Sequence, residues 1–263
     1  MATMVLSIWN KEQKAPFFIV KNGTKWYSRQ TGVILVENKA KQVIQYYLLC
    51  DKLKQIIRKG WLDWNVEAEV VERIAEHIYS TQMLAIGMYQ AYGYDLDLFK
   101  VIFMLAIHET EEIIIGDKTL FEISKQVKEK IGHDAVHYIF TQILSAPALE
   151  QIILEFDERK TKEAKFAYSC DKMDWDLKAK LYGDRKYVNL DHQQNNPVID
   201  DPRVTKWFNK GLTFGEMALK FGQEMYGYDD NFMEVSNYAL SNNLADLQDT
   251  LENEIKSTFK IDI

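Results

Sequence analysis

The residues with the clearest potential for chemistry lie between Ile107 and Asp117, in the segment Ile-His-Glu-Thr-Glu-Glu-Ile-Ile-Ile-Gly-Asp. An uncharged apolar run, Val101–Ile107, precedes this segment and predicts a buried helix. Such a helix would carry an imidazole and several carboxylates to the edge of the core. Because burying unpaired carboxylates costs several kcal/mol, these groups need a partner, and a divalent metal can be that partner.

Two further residues can complete a ligand set with His108 and Glu109. His77 lies within one amphipathic helical pattern and Asp171 within a later one. Taken singly, His77 is more often a hydrogen-bonded core residue, and Asp171 a solvated or salt-bridged one. Together, two imidazoles and two carboxylates from three helices make a mixed nitrogen and oxygen site. That set suits Mn, Fe, Co, Ni or Zn better than Ca or Mg.

The elements that must position these groups are predicted to be helices, since 4 Pro and 12 Gly in 263 residues are few for a turn-rich β fold. Apolar periodicity predicts one helix from Lys39 that stops at Gly60 and another from Val70 to Gly93. A third helix is predicted after Asp97 as N-cap, and two shorter ones at about 120–130 and 134–145. A further helix is predicted to begin at Pro147, and the last of this series to run from a Thr161 cap to Gly183. Residues 184–202 are predicted as loop, followed by two or three helices in 203–260.

The first 38 residues differ from this helical pattern. Phe17–Val20, Asn22-Gly23 and Trp26-Tyr27 predict a small β-hairpin, and Val33–Val36 could add a strand. We therefore expect three regions: an N-terminal extension at 1–38, a helical core at 39–183, and a loop with further helices at 184–263.

Composition limits the possible partners and location. The net charge of −7 argues against a nucleic-acid polymer as ligand but allows a small anionic substrate, because a local metal and one or two Arg can override the global sign. Cys50 and Cys170 are far apart and favour a reducing compartment. No signal peptide and no 18-residue apolar stretch is visible, so we expect a cytoplasmic protein without a membrane span.

The set His77, His108-Glu109 and Asp171 resembles the H…HD…D signature of the HD-domain phosphohydrolases. Flanking segments are similar to those of the 5′-deoxynucleotidase-like branch of this family, namely Leu53–Trp61, Arg73–His77, His108–Asp117 and Glu155–Lys172. The resemblance covers about 48–182 and leaves 1–40 and 185–263 unmatched. It implies an all-α HD-domain helical bundle, here with a possible small N-terminal β-hairpin and extra C-terminal helices.

Two departures from the family pattern stand out. The second metal ligand of the family is Asp, whereas this chain has Glu109, which is one methylene longer. Trp64 and Glu67-Ala68 stand about where the family often has an Arg and a Pro-Glu-Ser. Metal binding and substrate choice could differ accordingly.

The resemblance assigns roles to four more residues. Glu112 would handle the proton of the attacking water or of the leaving 5′-oxygen, and Asp117 would contact the metal-bound water or the sugar. Arg58 would bind the phosphate, because guanidinium binds phosphate oxygens in a bidentate fork. Trp61 would pack near the sugar, since the family favours 2′-deoxy substrates. Purely structural roles compete with these: a helix end for Glu112, a helix cap for Asp117, a helix C-terminus for Arg58 and the core for Trp61.

The implied activity is metal-dependent release of phosphate from nucleotide monophosphates, with deoxynucleoside 5′-monophosphates as the expected substrates. One divalent transition metal is the implied cofactor, and a homodimer is expected because the family often dimerises. An HD hydrolase acting on a triphosphate, a cyclic nucleotide or guanosine tetraphosphate is one alternative. A non-catalytic HD-fold nucleotide-binding protein is another. A zinc peptidase is set aside because His108-Glu109 lacks the second histidine of HExxH.

Overall fold

The computed structural model describes residues 4–10, 15–22, 25–28, 34–36, 38–66, 69–118, 122–194 and 196–260. The chain divides into two compact units, Met1–Tyr47 and Leu48–Ile263. The predicted region boundaries at 38 and 183 are a separate division, based on sequence pattern, and stay a prediction.

The first unit contains an antiparallel sheet with strand order β1 (Met4–Asn10), β2 (Ala15–Asn22), β3 (Lys25–Ser28) and β4 (Ile34–Val36). Asn22 pairs with Lys25, so β2 and β3 form a tight hairpin over the segments for which a hairpin was predicted. Gly23 of the predicted turn and Val33 of the predicted third strand lie outside the described residues. The sequence patterns did not predict β1.

The second unit is an all-α bundle, which confirms the predicted fold class. Helix α1 (Lys39–Asp51) begins in the first unit and ends in the second. The others are α2 (Lys59–Asp63), α3 (Ile74–Tyr92), α4 (Leu98–Ile107), α5 (Glu112–Ile115), α6 (Lys125–Tyr138), α7 (Pro147–Glu158), α8 (Lys162–Asp184), α9 (Pro202–Phe208), α10 (Phe214–Met225), α11 (Asp230–Ser241) and α12 (Leu244–Phe259).

Helix α8 is the element around which the bundle packs, since it contacts α3, α4, α7, α10, α11 and α12. Its 23 residues contribute to two groups of buried side chains. Met173 packs with α3 and α4 in one group, and Tyr182 packs with Trp61 and Met217 in the other. A helix buried on several sides can present polar residues to the interior at fixed positions, and Asp171 is one of them.

Several predicted helix ends are confirmed. The side chains of Asp97 and Thr161 accept hydrogen bonds from the backbone N–H groups of Lys100 and Ala164, as N-caps do. Pro147 occupies the first turn of α7. Gly93 ends α3 in the left-handed conformation, with φ of 65°.

Three predicted boundaries are wrong. Gly60 does not stop a helix from Lys39, because α1 ends at Asp51 and Gly60 lies inside α2. Gly183 lies in the last turn of α8, where an added Cβ would be 3.0 Å from the backbone nitrogen of Gly215; glycine here permits close packing against α10. The two helices predicted at 120–130 and 134–145 are one helix, α6, extended by a π-helical turn at Ile139–Ile143.

Candidate active site and metal centre

The four predicted metal ligands converge. His77 comes from α3, His108 from the end of α4, Glu109 from the turn that follows, and Asp171 from the middle of α8. One ligand atom from each lies within 4.8 Å of all the others. The Nε2 of His77 is 3.2 Å from Asp171 Oδ1, 3.5 Å from Glu109 Oε1 and 3.3 Å from the Nε2 of His108.

The spacing and orientation of these groups fit a metal ion. Ligand atoms bound at about 2.1 Å in a tetrahedral site are about 3.4 Å apart, close to the separations found here. The Nδ1 of His77 lies 2.7 Å from Asp174 Oδ2, and the Nδ1 of His108 lies 2.8 Å from the carbonyl oxygen of Leu105. Both Nδ1 atoms can therefore donate outward, which directs both Nε2 atoms toward the shared point.

The pKa shift of His77 indicates that the carboxylates around it favour a positive charge at this point. Burial and the charge of Arg58 lower the pKa of His77, but hydrogen bonds to Asp171, Asp174 and Glu109 outweigh them and raise it to about 10. Burial lowers the pKa of His108. A proton on His77 thus balances carboxylates that a bound metal would also balance.

Glu109 reaches the site despite its departure from the family pattern. Its Oε1 lies 3.5 Å from the Nε2 atoms of both His77 and His108. Burial alone would raise the pKa of Glu109, but the neighbouring histidines and Arg58 hold it well below its usual range. Glu109 is therefore an ionised carboxylate placed to bind a cation.

Arg58 lines the small cavity of about 230 Å³ next to the four ligands. Its Nη1 lies 3.8 Å from Glu109 Oε1, and its Nε lies 3.7 Å from Glu72 Oε2. The Nη1 is buried and has no hydrogen-bond partner among the described residues. A buried donor without a partner is costly, so an anionic ligand in this cavity would stabilise it.

Trp61 lies in the interior and not in this cavity. Its side chain has no exposed surface, stacks on Trp175 at 5.6 Å between ring centroids, and donates from Nε1 to Glu72 Oε2 at 3.1 Å. The expected contact with a sugar stays a prediction, whereas the competing core role is what the structure shows.

Glu112 and Asp117 both line the cavity. Burial, followed by the charges of Glu109 and Asp117, raises the pKa of Glu112 well above its usual range. The Oε2 of Glu112 is buried without a hydrogen-bond partner among the described residues, and its Oε1 lies 3.7 Å from Lys128 Nζ. Asp117 accepts a hydrogen bond from the backbone N–H of Lys59 at 2.7 Å, so it caps α2 and not the helix that follows it in sequence.

Sequence reasoning missed several residues of the site. Asp174 fixes the His77 ring, and a signal existed, since Asp171 and Asp174 stand three residues apart on one helix face. Lys172 follows Asp171 directly and its Nζ lies 2.8 Å from Asp171 Oδ2. Lys128 and Glu72 gave no signal, because their proximity to the site depends on packing between distant segments.

Comparisons with known proteins agree with this geometry. The model of a family described as HD domain matches residues 50–203. The chain belongs to the HD domain family. Membership and the clustered ligands together identify a metal-dependent phosphohydrolase.

Two curated relatives are 27% and 25% identical to this chain over the aligned residues. A 5′-deoxynucleotidase HDDC2 of Dictyostelium discoideum is 27% identical over 164 residues, which are 59% of this chain and 82% of the relative. The 5′-deoxynucleotidase hdd1 of Schizosaccharomyces pombe is 25% identical over 186 residues, 66% of this chain and 90% of the relative.

A solved structure has a similar overall fold. A conserved hypothetical protein from Pyrococcus furiosus superposes with a TM-score of 0.54 at 22% identity, covering 76% of this chain and 99% of its own. Over the described residues, no helix is long and apolar enough to span a membrane.

Proposed function

We propose that this protein is a phosphomonoesterase that releases phosphate from deoxynucleoside 5′-monophosphates. The observation that carries the proposal is the convergence of His77, His108, Glu109 and Asp171 within 4.8 Å. The two curated relatives are both named as 5′-deoxynucleotidases, which supports the choice of substrate.

The four converging residues would hold one divalent transition metal, namely Co, Mn, Fe, Ni or Zn, because imidazole and carboxylate ligands suit these ions. A metal in such a site would act as a Lewis acid on a phosphoryl oxygen and would lower the pKa of a bound water to about 7. Asp174 and the carbonyl of Leu105 orient the two imidazoles for this purpose.

Two cations of the chain, Arg58 and Lys172, would bind the phosphate. The buried Nη1 of Arg58 has no hydrogen-bond partner among the described residues, and a bound anion would supply one. Lys172 lines the same cavity from the α8 side, next to Asp171. A phosphate monoester dianion between them would receive charge-assisted hydrogen bonds from both sides.

Glu112 would carry the proton that the leaving 5′-oxygen receives. Because burial raises the pKa of Glu112 well above its usual range, the protonated form is favoured and can donate to the leaving 5′-oxygen. Lys128, 3.7 Å away, would stabilise the carboxylate that remains. Asp117 would act on Arg58 indirectly, since it caps the helix that begins beside Arg58.

The cytoplasmic location and the homodimer expected from the sequence are also part of the proposal. Sedimentation of the purified chain tests the homodimer, and fractionation of cells that express the full protein tests the location. Trp61 would affect substrate choice only indirectly, through its hydrogen bond to Glu72, whose carboxylate lies 3.7 Å from Arg58 Nε.

The decisive experiment is a phosphate-release screen with the metal-stripped protein after addition of Co, Mn, Ni or Zn. We expect turnover of deoxynucleoside 5′-monophosphates, no release without metal, and loss of both bound metal and turnover in His108→Ala. Triphosphates, cyclic nucleotides and guanosine tetraphosphate belong in the panel. Preference for one of these would replace the proposed substrate, and full metal content without turnover of any ester would indicate a non-catalytic protein.

A further inference from the structure

A second cavity, of about 630 Å³, adjoins the catalytic one. The two share lining residues, among them Lys128, Phe156, Asp157, Asp171 and Lys172. Its volume lies within the range of about 300–1,000 Å³ that is typical of small-molecule sites. If the phosphate of a substrate lies between Arg58 and the metal ligands, the group it is esterified to must extend into adjoining space, and this cavity provides that space.

One wall of the larger cavity presents a planar cation. The guanidinium carbon of Arg159 lies 4.5 Å from the centroid of the Tyr168 ring, and both residues line the cavity. Arg159 ends α7 in the left-handed conformation, with φ of 51°, and its Nε donates to the carbonyl of Asp157 at 3.3 Å. The guanidinium is thus held over the Tyr168 ring, and such planes are surfaces on which nucleobases stack.

The carboxylate of Asp157 provides a hydrogen-bond acceptor in the same cavity as the Arg159 guanidinium. Asp157 Oδ2 lies 3.0 Å from His133 Nε2, which fixes the carboxylate from α6. The other carboxylate oxygen, Asp157 Oδ1, has no hydrogen-bond partner among the described residues. Asp157 lines both cavities. A carboxylate in this setting accepts hydrogen bonds from N–H groups and offers none to a carbonyl.

We propose that the larger cavity is a nucleobase subsite in which the base stacks on Arg159 and donates an exocyclic amino group to Asp157. The inference rests on the proposed function and adds a substrate preference to it. Guanine, adenine and cytosine carry an amino group, whereas the N3–H of thymine is flanked by two carbonyl oxygens that a carboxylate repels. The enzyme therefore prefers deoxynucleotides of the three amino-bearing bases to thymidine 5′-monophosphate.

Binding of deoxynucleosides to the metal-loaded full chain tests the subsite apart from catalysis, because nucleosides carry no phosphate. Calorimetric titration with deoxyguanosine, deoxyadenosine, deoxycytidine and thymidine should give the weakest binding for thymidine. In Asp157→Asn the first three should bind about tenfold more weakly, and thymidine should change by less than about twofold. Asp134→Asn is the matched control, since Asp134 is an exposed residue of α6 that lines neither cavity.

The stacking contact has its own variant. Arg159→Lys keeps the positive charge and removes the planar guanidinium, so all four nucleosides should bind at least about fivefold more weakly. Circular dichroism and melting temperature establish that each variant is folded.

The outcomes separate the subsite from the hydrolase. The subsite is overturned if Asp157→Asn loses the same affinity for thymidine as for deoxyguanosine. It is also overturned if Arg159→Lys binds the nucleosides as tightly as the unaltered chain. Phosphate release from all four deoxynucleotides at equal kcat/KM, unaffected by Asp157→Asn, overturns it as well and leaves the hydrolase intact. Nucleoside binding that follows the predicted pattern without any phosphate release supports the subsite and removes the proposed hydrolase.

Discussion

Replacing Asp174 with Asn tests whether the converging residues form a metal centre or only a buried hydrogen-bond network. Asp174 is buried, with 8% of its surface exposed, and its Oδ2 lies 2.7 Å from the Nδ1 of His77. Asn has nearly the same shape and keeps one side-chain oxygen that can accept from Nδ1. The substitution therefore removes the charge behind the imidazole and changes little else.

The expected magnitude follows from the position of Asp174 behind a ligand. Groups that hydrogen-bond a ligating histidine typically change metal affinity by 10–100-fold when mutated. That range corresponds to about 1.4–2.8 kcal/mol of binding free energy. Asp174→Ala should lie at or beyond the upper end, because it leaves the Nδ1 of the fully buried His77 without an acceptor and allows the ring to rotate.

Isothermal titration of Co or Mn into the metal-stripped full chain measures the affinity directly. Metal content after dialysis gives a second readout. Asp230→Asn, on the exposed surface of α11, is the matched control and should bind metal as the unaltered chain does. A folded Asp174→Asn protein with metal affinity within about twofold of the control would refute the metal-centre reasoning.

Three further predictions follow from specific contacts. Gly222→Ala should lower the free energy of unfolding by about 1–3 kcal/mol in urea titrations, because an added Cβ would lie 1.8 Å from Asp176 Oδ2. Burial raises the pKa of Asp176 well above its usual range, so the folded state keeps a proton that the unfolded chain releases above about pH 3.9. The free energy of unfolding should therefore fall as the pH rises from about 3.9 toward the folded pKa, and Asp176→Asn should become more stable than the unaltered chain as the pH rises through this range. Glu109→Asp shortens the side chain by about 1.5 Å and should lower metal affinity and turnover, whereas a rise in turnover would show that Glu is a handicap.

The sequence was sufficient to predict that His77, His108, Glu109 and Asp171 would lie close together. Two of them, His77 and Asp171, lie on helices whose apolar faces are readable, and the other two directly follow such a helix. Helical period fixes which side of α3 carries His77 and which side of α8 carries Asp171. The resemblance to the HD family then supplied the pairing between helices, which periodicity alone does not contain. Asp174 was within reach of the same reasoning, one turn from Asp171.

The parts that were not predicted depend on contacts between distant segments. The burial of Trp61 follows from stacking on Trp175, more than a hundred residues later. The larger cavity arises where α6, α7 and α8 leave space, and no local pattern marks His133 or Arg159 as its lining. The prediction of a helix end was wrong at Gly183, where glycine permits close packing of two helices. Sequence alone does not distinguish a glycine that permits packing from one that ends a helix.

Arg58, the proposed phosphate-binding residue, and His77, a proposed metal ligand, are held by two segments that are hydrogen-bonded to each other. The backbone N–H of Arg58 donates to the carbonyl of Glu72, and that of Ile74 donates to the carbonyl of Ile56, so the segment before α2 is joined to the start of the helix that carries His77.

Asp117 holds the same segment from the other side, through its bond to the N–H of Lys59. This arrangement links Arg58, His77 and Asp117, although they are distant in sequence. The Gly116-Asp117 pair fixes the helix start beside Arg58, and the short backbone pairing fixes Arg58 relative to His77. A change at Asp117 should thus weaken phosphate binding through Arg58 while the metal ligands stay in place.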